Sequence, residues 1–322
     1  MLRRDMPVSR RRDSQPRPWG DRRAGRKGGM HPTDPPTEIQ ETVEFFGSGD
    51  QLLFGSRHRP ASDPSLGIVI CPGLQAEFFR HYRREVLLAR GLAASGICVQ
   101  RFHYRGTGHS DGESSELTFS RMVEDAVASG EWMRTTEGSE NLVFVGVRLG
   151  GLVAAAAAVR LGTPLVLWEP FTRSAIYFRD ILRAGRIHEI QKGVTTGRSS
   201  QTQLDELRRT GTLDILGYSI DRALFYSLED QTLEDVLGDH ARQVLLVGAS
   251  PGGVPKNEHA RVVAALQSRG FDVETHLVAM SEEAWWFVGG RTLDEEADLA
   301  REMTGAISGW ARRTAPRERG VR

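Results

Sequence analysis

The chain has 322 residues, of which 39% are hydrophobic and 26% charged, and its formal net charge is zero. No apolar run approaches the roughly 20 residues that a membrane-spanning helix needs, so the composition predicts a globular protein without such a span. Two cysteines, Cys71 and Cys98, lie in strand-like segments. This pattern argues against a disulfide framework and favours a cytoplasmic location.

The charge is unevenly distributed along the chain. Residues 1–29 carry ten basic and three acidic side chains, which leaves a net charge of −7 for the rest. Arginine, glycine and proline dominate this segment, and such a composition cannot bury an apolar core. We therefore expect residues 1–37 to be a disordered basic extension, solvated rather than bound to nucleic acid or lipid. Met30 is an alternative start of the protein.

Strands and helices alternate from residue 38 onward. The segments 42–46 and 51–59 read as strands around the turn Gly47–Asp50, which is a hairpin signal. Strands are further predicted at 66–73, 97–106, 141–146, 164–170, 242–248 and 271–279, with helices at about 80–95, 117–135, 149–161, 256–269 and 293–313. Short apolar strands that alternate with helices predict a mostly parallel, doubly wound α/β sheet. The core is assigned to residues 38–170 and 241–313, with a flexible tail at 314–322.

Residues 171–240 follow the sixth strand and have mixed helical patterns with a polar stretch. An insertion of this length is large enough to form a helical lid over the carboxyl edge of the sheet. Ligands bind at that edge in open α/β sheets.

Two motifs carry a resemblance to a known family. The segments "HYRREVLLARGLA", residues 81–93, and "VQRFHYRGTGHSDGE", residues 99–113, resemble the serine-aminopeptidase-like branch of the α/β-hydrolase superfamily. They are particularly similar to hydrolases associated with the exosortase A system. That group also resembles this chain in a G-x-R-x-G turn and in a strand ending Leu-Trp-x-Pro, here residues 167–170. The resemblance implies the α/β-hydrolase fold and hydrolysis or acyl transfer on an ester, thioester or amide.

The catalytic positions that the resemblance implies are filled by unsuitable residues. The turn that would hold the nucleophilic serine reads "VGVRLGG", residues 145–151, with Arg148 at the centre. The loop for the acid reads "GASPGGVP", and the loop for the histidine reads "MSEEAWWFVGG" without a histidine. A guanidinium stays protonated at neutral pH and is no nucleophile. The sequence therefore predicts a degenerate catalytic triad.

The turn predicts an anion-binding group in place of the serine. The backbone N–H of Leu149, together with one from the loop that contains Leu74 and Gln75, would form the inherited oxyanion hole. Arg148 adds a positive charge at the start of a helix, where anions bind readily. The alternative is that Arg148 pairs with Glu169, Glu282 or Glu283 and closes an empty pocket.

Weaker candidates remain around this turn. Cys71 could be a thiol nucleophile with His103 or His109 as base, although a buried strand cysteine is more often inert. Glu169 and Glu283 are weak catalytic candidates. The predicted pocket walls are three tryptophans, which could instead pack the lid: Trp168, Trp285 and Trp286.

Two functions remain open at this point. The first is a hydrolase or acyl-transfer relative that uses substitute groups around Arg148. The second is a catalytically inactive pseudo-hydrolase that binds a ligand or acts as a scaffold. In both, the expected partner is a small acyl or acidic molecule, with no cofactor, no metal site and no specific binding of nucleic acid.

Overall fold

The computed structural model describes residues 38–47, 51–193, 197–238, 243–250, 253–279 and 293–315. The strands are β1 (Ile39–Phe46), β2 (Leu53–Pro60), β3 (Leu66–Cys71), β4 (Cys98–Phe102), β5 (Asn141–Val147), β6 (Leu165–Trp168), β7 (Thr212–Ile215), β8 (Tyr218–Asp221), β9 (Gln243–Ser250) and β10 (Asp272–Ala279). The helices are α1 (Gln75–Ala94), α2 (Phe119–Glu137), α3 (Gly150–Leu161), α4 (Ser174–Gln191), α5 (Ser200–Thr210), α6 (Arg222–Leu228), α7 (Leu233–Leu237), α8 (Asn257–Ser268) and α9 (Leu293–Thr314). A short 3-10 helix spans Ser114–Glu116.

Eight strands form one sheet in the order β1-β2-β4-β3-β5-β6-β9-β10. The pairs β1–β2 and β2–β4 are antiparallel, and all other neighbours in this sheet are parallel. Every residue of β3, β4 and β6 is buried, as expected for strands that helices cover on both faces. The predicted mostly parallel sheet and the predicted hairpin β1–β2 are confirmed.

The apolar core lies in two layers, one on each face of the sheet. One layer contains side chains of α1 and α9, such as Leu88 and Ile307, packed on alternate residues of the central strands. The other contains side chains of α2, α3 and α8, such as Met122 and Leu152. Thr118 accepts a hydrogen bond from the N–H of Arg121 and caps the start of α2. This arrangement brings the carboxyl ends of β3, β4, β5, β6 and β9 to one edge of the sheet.

The segment between β6 and β9 contains α4 to α7 and the antiparallel pair β7–β8. The sequence analysis predicted helices here but not the hairpin. Leu216 and Gly217 connect the two strands and both have positive φ, 57° and 82°. None of the described helices is long and apolar enough to cross a membrane.

Candidate functional site

The turn after β5 keeps the geometry of a nucleophile turn although it carries an arginine. Arg148 has a φ of 54°, in the left-handed region that few residues with a side chain adopt. Its N–H donates to the carbonyl oxygen of Trp168 at 3.0 Å, which ties the turn to the end of β6. A Cβ on Gly150 would overlap the carbonyl oxygens of Cys71 and Pro72. The start of α3 therefore packs directly on the end of β3, which requires glycine at that position.

The loop after β3 provides the other half of the predicted oxyanion hole. Gln75 begins α1 with a φ of 53°, and its Oε1 accepts a hydrogen bond from the Tyr177 hydroxyl at 3.0 Å. Leu74 and Leu149 are both buried. Within the part of the chain that the structure describes, no hydrogen bond from the N–H of Gln75 or Leu149 is found. These two backbone donors are thus available to an oxygen atom.

The side chain of Arg148 points to a carboxylate of the same chain. Its Nε and one terminal nitrogen lie 3.1 and 3.0 Å from Oε1 of Glu77, in the first turn of α1. Both side chains are buried, with relative exposures of 3% for Arg148 and 0% for Glu77. The guanidinium carbon also lies 4.0 Å from the centre of the Phe171 ring, a cation–π contact. The nucleophile position is therefore filled by one half of a buried ion pair.

Glu77 is held in an environment that opposes its own charge. Burial raises the pKa of this carboxyl above its ordinary value, and the charge and hydrogen bonds of Arg148 act in the opposite direction. Its second oxygen, Oε2, is buried and has no hydrogen-bond partner among the described residues. Without Arg148, the carboxylate would lose its main compensation for leaving water.

A second ion pair, with a buried carboxylate and a partly exposed lysine, occupies the neighbouring corner of the site. Glu169 follows β6 with a φ of 47°, and its Oε2 lies 2.5 Å from Nζ of Lys256. Its Oε1 accepts a hydrogen bond from the N–H of Ala249 in β9. Glu169 is only 1% exposed, so it is neutralised within the fold. Among the described residues, the carboxylate that Arg148 contacts is that of Glu77. Glu169, which was one of the expected partners of Arg148, pairs with Lys256.

The other sequence candidates lie in different surroundings. Burial raises the pKa of the Cys71 thiol far above its ordinary value, so the thiolate needed for nucleophilic attack is disfavoured. Trp168 is buried and packs edge-on against His81 at 5.9 Å, because its position in β6 faces the α1 layer of the core. Trp168 does not line the cavity beside the loop after β3. Glu282, Glu283, Trp285 and Trp286 lie outside the described residues.

A cavity of about 260 Å³ opens beside the loop after β3. Its walls come from that loop, from the loop after β4, from the 3-10 helix region and from β8 of the insertion. The lining side chains include Leu74, Phe78, Phe79, Tyr104, Leu117, Tyr218 and Leu224. Gln75 lines it, but Arg148 and Glu77 do not. The predicted site residues therefore have two different environments. The oxyanion loop faces a cavity, whereas Arg148 faces the core.

Sequence reasoning missed Glu77 and Lys256. Glu77 was overlooked because the helix was expected to begin near residue 80, whereas α1 begins at Gln75. A signal for Lys256 was present, since the chain has three lysines and one of them lies in the loop between β9 and α8. A residue type that is rare in a chain and stands at the carboxyl edge of its sheet is a reasonable candidate for an internal ion pair.

Comparison with known proteins places this geometry in context. Residues 62–195 match the family model of serine aminopeptidase, S33. The chain is similar to the esterase Est1E of Butyrivibrio proteoclasticus with ferulic acid bound, at 17% identity and a TM-score of 0.54, covering 81% of this chain and 97% of that one. It is also similar to an esterase of Pyrococcus furiosus, at 13% identity and a TM-score of 0.56, covering 86% and 92%.

A third similar structure is carboxyl esterase 2 of the fungus Tuber melanosporum, at 17% identity and a TM-score of 0.55, covering 87% of this chain and 89% of that one. No curated protein sequence matches the chain. The chain therefore has the α/β-hydrolase fold. The matched segment contains the oxyanion loop and the arginine turn.

Proposed function

We propose that the protein is a pseudo-hydrolase, an α/β-hydrolase-fold protein that binds a small ligand and has no Ser-His-Asp chemistry. The buried ion pair between Arg148 and Glu77 is the observation that carries this proposal. Serine hydrolysis needs a nucleophile that can be deprotonated at the turn after β5. An arginine whose charge is satisfied by an internal carboxylate neither attacks a carbonyl nor activates water.

The other two corners of the site support the same proposal. Glu169, which contacts the end of β9, is paired with Lys256 and accepts a hydrogen bond from the N–H of Ala249, so it is not available to orient a histidine. The sequence from Met280 to Thr292, where the catalytic histidine would be expected, contains no histidine. Binding can persist without these groups because the cavity is bounded by the loops and not by the triad positions.

A fluorophosphonate probe, which labels activated serines, tests the proposal. We expect no labelling of the full-length protein at concentrations that label a serine esterase completely. An Arg148→Ser variant should also remain unlabelled, because residues 280–292, which follow β10 and would carry the activating base, contain no histidine. Stoichiometric labelling of any serine of the unmodified protein would overturn the proposal.

A second candidate function is an enzyme that uses the retained backbone donors. The unpartnered N–H groups of Gln75 and Leu149 favour it, because such donors stabilise an oxyanion in acyl transfer. This function predicts turnover of short acyl esters or acyl-CoA thioesters. Turnover in the unmodified protein that disappears in folded Arg148→Lys protein would support it, and equal background rates in both proteins across the panel would exclude it.

A further inference from the structure

The cavity beside the oxyanion loop has a chemistry different from that of the turn at Arg148. We propose that it binds an uncharged aromatic or short acyl ligand and discriminates against the corresponding anion. This inference rests on the proposed binding function and specifies its ligand. It departs from the acidic ligand that the arginine in the sequence suggests.

The lining of the cavity carries no formal charge. Among the described residues that bound it there is no aspartate, glutamate, lysine, arginine or histidine. Its two tyrosines, Tyr104 and Tyr218, remain neutral near pH 7, since burial raises the pKa of each hydroxyl above its ordinary value. An anion that entered would lose its hydration without gaining a cationic partner, which is costly. An uncharged ligand has no such penalty.

The guanidinium of Arg148 is already paired with another group of the fold. Arg148 is 3% exposed, hydrogen-bonded to Glu77 and stacked on Phe171, and it does not line the cavity. Arg80 lies close enough to Tyr218 to influence its hydroxyl, but it is exposed and does not line the cavity either. Neither side chain therefore supplies a counter-ion within the cavity.

Polar groups in the lining suit a ligand that carries an oxygen acceptor. The Oε1 of Gln75 already accepts from Tyr177, which leaves the side-chain amide and the backbone N–H of Gln75 as donors. The hydroxyls of Ser114 and Ser219 belong to two further lining residues. Thr107 uses its hydroxyl hydrogen on the carbonyl oxygen of Tyr104. These hydrogen-bond donors suit a carbonyl or amide oxygen of the ligand better than a carboxylate, which would need a cationic partner.

The size and the lining of the cavity favour a small ligand with an aromatic ring or a short chain. Its volume of about 260 Å³ corresponds to roughly nine water molecules at ~30 Å³ each. Rings of Phe78, Phe79, Tyr104 and Tyr218 contribute apolar walls, and several glycines allow the ligand to approach the backbone closely. Phe79 is 64% exposed and its ring lies 5.8 Å from that of Tyr218. These two residues join α1 to the insertion at the cavity.

Matched pairs of neutral and anionic probes test the inference. Ligand-observed NMR titrations would compare phenylacetamide with phenylacetate, and hexanamide with hexanoate, on the full-length protein. We expect at least one amide to bind saturably, with its acid about tenfold weaker or worse. Ser219→Trp, at an exposed position that lines the cavity, should remove the binding. Thr212→Trp, on the same hairpin but outside the lining, should retain it.

Each result of the titrations has a definite meaning. Absence of saturable binding by both amides, equal or tighter binding of the acids, or binding that survives in folded Ser219→Trp protein would overturn the inference. The fluorophosphonate experiment reports separately on the proposed function. Labelling together with amide selectivity would reject the pseudo-hydrolase and keep the neutral ligand. Tighter binding of the acids without labelling would reject the neutral ligand and keep the pseudo-hydrolase.

Discussion

At the scale of single residues, the site is defined by two oppositely charged side chains that are both buried away from water. Arg148 and Glu77 are both almost completely buried, so each depends on the other to offset the loss of hydration. The positive φ of Arg148 shows that the turn itself persists, because a residue with a side chain remains in a conformation that costs energy. The backbone geometry of a nucleophile turn is therefore present, but the side chain at its centre is not a nucleophile.

Removing one partner of this pair should be more damaging than removing both. Arg148→Met leaves Glu77 buried without its partner, and we expect the free energy of unfolding to fall by about 3–5 kcal/mol. The double variant Arg148→Met/Glu77→Leu should recover much of that loss, because no uncompensated charge remains. Urea denaturation of the four proteins of the cycle measures the coupling.

The control for this cycle is an exposed ion pair. Asp63 contacts Arg59 and its side chain is 97% exposed, so Asp63→Ala should change the free energy of unfolding by less than about 0.5 kcal/mol. Additive losses from Arg148→Met and Glu77→Leu, with no coupling between them, would show that the pair does not stabilise the site as argued.

At the scale of elements, the position of the turn depends on close contact between α3 and the end of β3. The contact is possible because Gly150 has no side chain. Gly150→Ala should lower the free energy of unfolding by about 1–3 kcal/mol, the usual cost of overpacking, because the obstructing atoms are backbone oxygens that cannot turn away. Thermal and urea denaturation give the measurement.

A second helical glycine provides the matched control. Gly305 lies within α9, where an added Cβ would meet no atom within 4 Å. Alanine there should stabilise the protein by up to about 1 kcal/mol through its higher helix propensity. Equal effects of Gly150→Ala and Gly305→Ala would contradict the close packing of α3 on β3.

Most of these elements could be predicted from the sequence because their signals are local. Buried parallel strands are continuous apolar runs, and the helices between them show apolar periodicity. The hairpin β7–β8 escaped prediction for an equally local reason. Its two connecting residues both need positive φ, which is usually signalled by Asn-Gly or Asp-Gly, but the chain has Leu216 and Gly217 there.

The site was predictable only in part. The sequence alone placed an arginine at the turn after β5 and predicted that some carboxylate or ligand would face it. The partner could not be identified from the sequence, because Glu77 is separated from Arg148 by 71 positions and meets it only through the sheet. The separation between the cavity and the arginine depends in the same way on tertiary packing.

At the scale of the whole molecule, burial holds several histidines in the neutral form. The pKa values of His58 and His103 are lowered to about 4, mainly by burial, and those of His81 and His259 are lowered for the same reason. His103 also accepts a hydrogen bond at Nδ1 from the N–H of His109, which requires that this nitrogen carry no proton. Burial likewise favours the neutral form of the acid Glu85, whose pKa it raises to about 7.

The lowered pKa of His103 gives its contribution to stability a definite dependence on pH. Between pH 6.5 and about 4 the unfolded chain binds a proton at position 103 and the folded chain does not, so the contribution of His103 is lost as the pH falls. His103→Asn, whose amide oxygen can still accept from the N–H of His109, should flatten the decline by up to about 3 kcal/mol. Free energies of unfolding from urea titrations at several pH values give the two curves. Asparagine at the exposed His188 is the matched substitution control. If the curves of His103→Asn and the unmodified protein run parallel from pH 6.5 to 4, the imidazole is not held neutral by the fold.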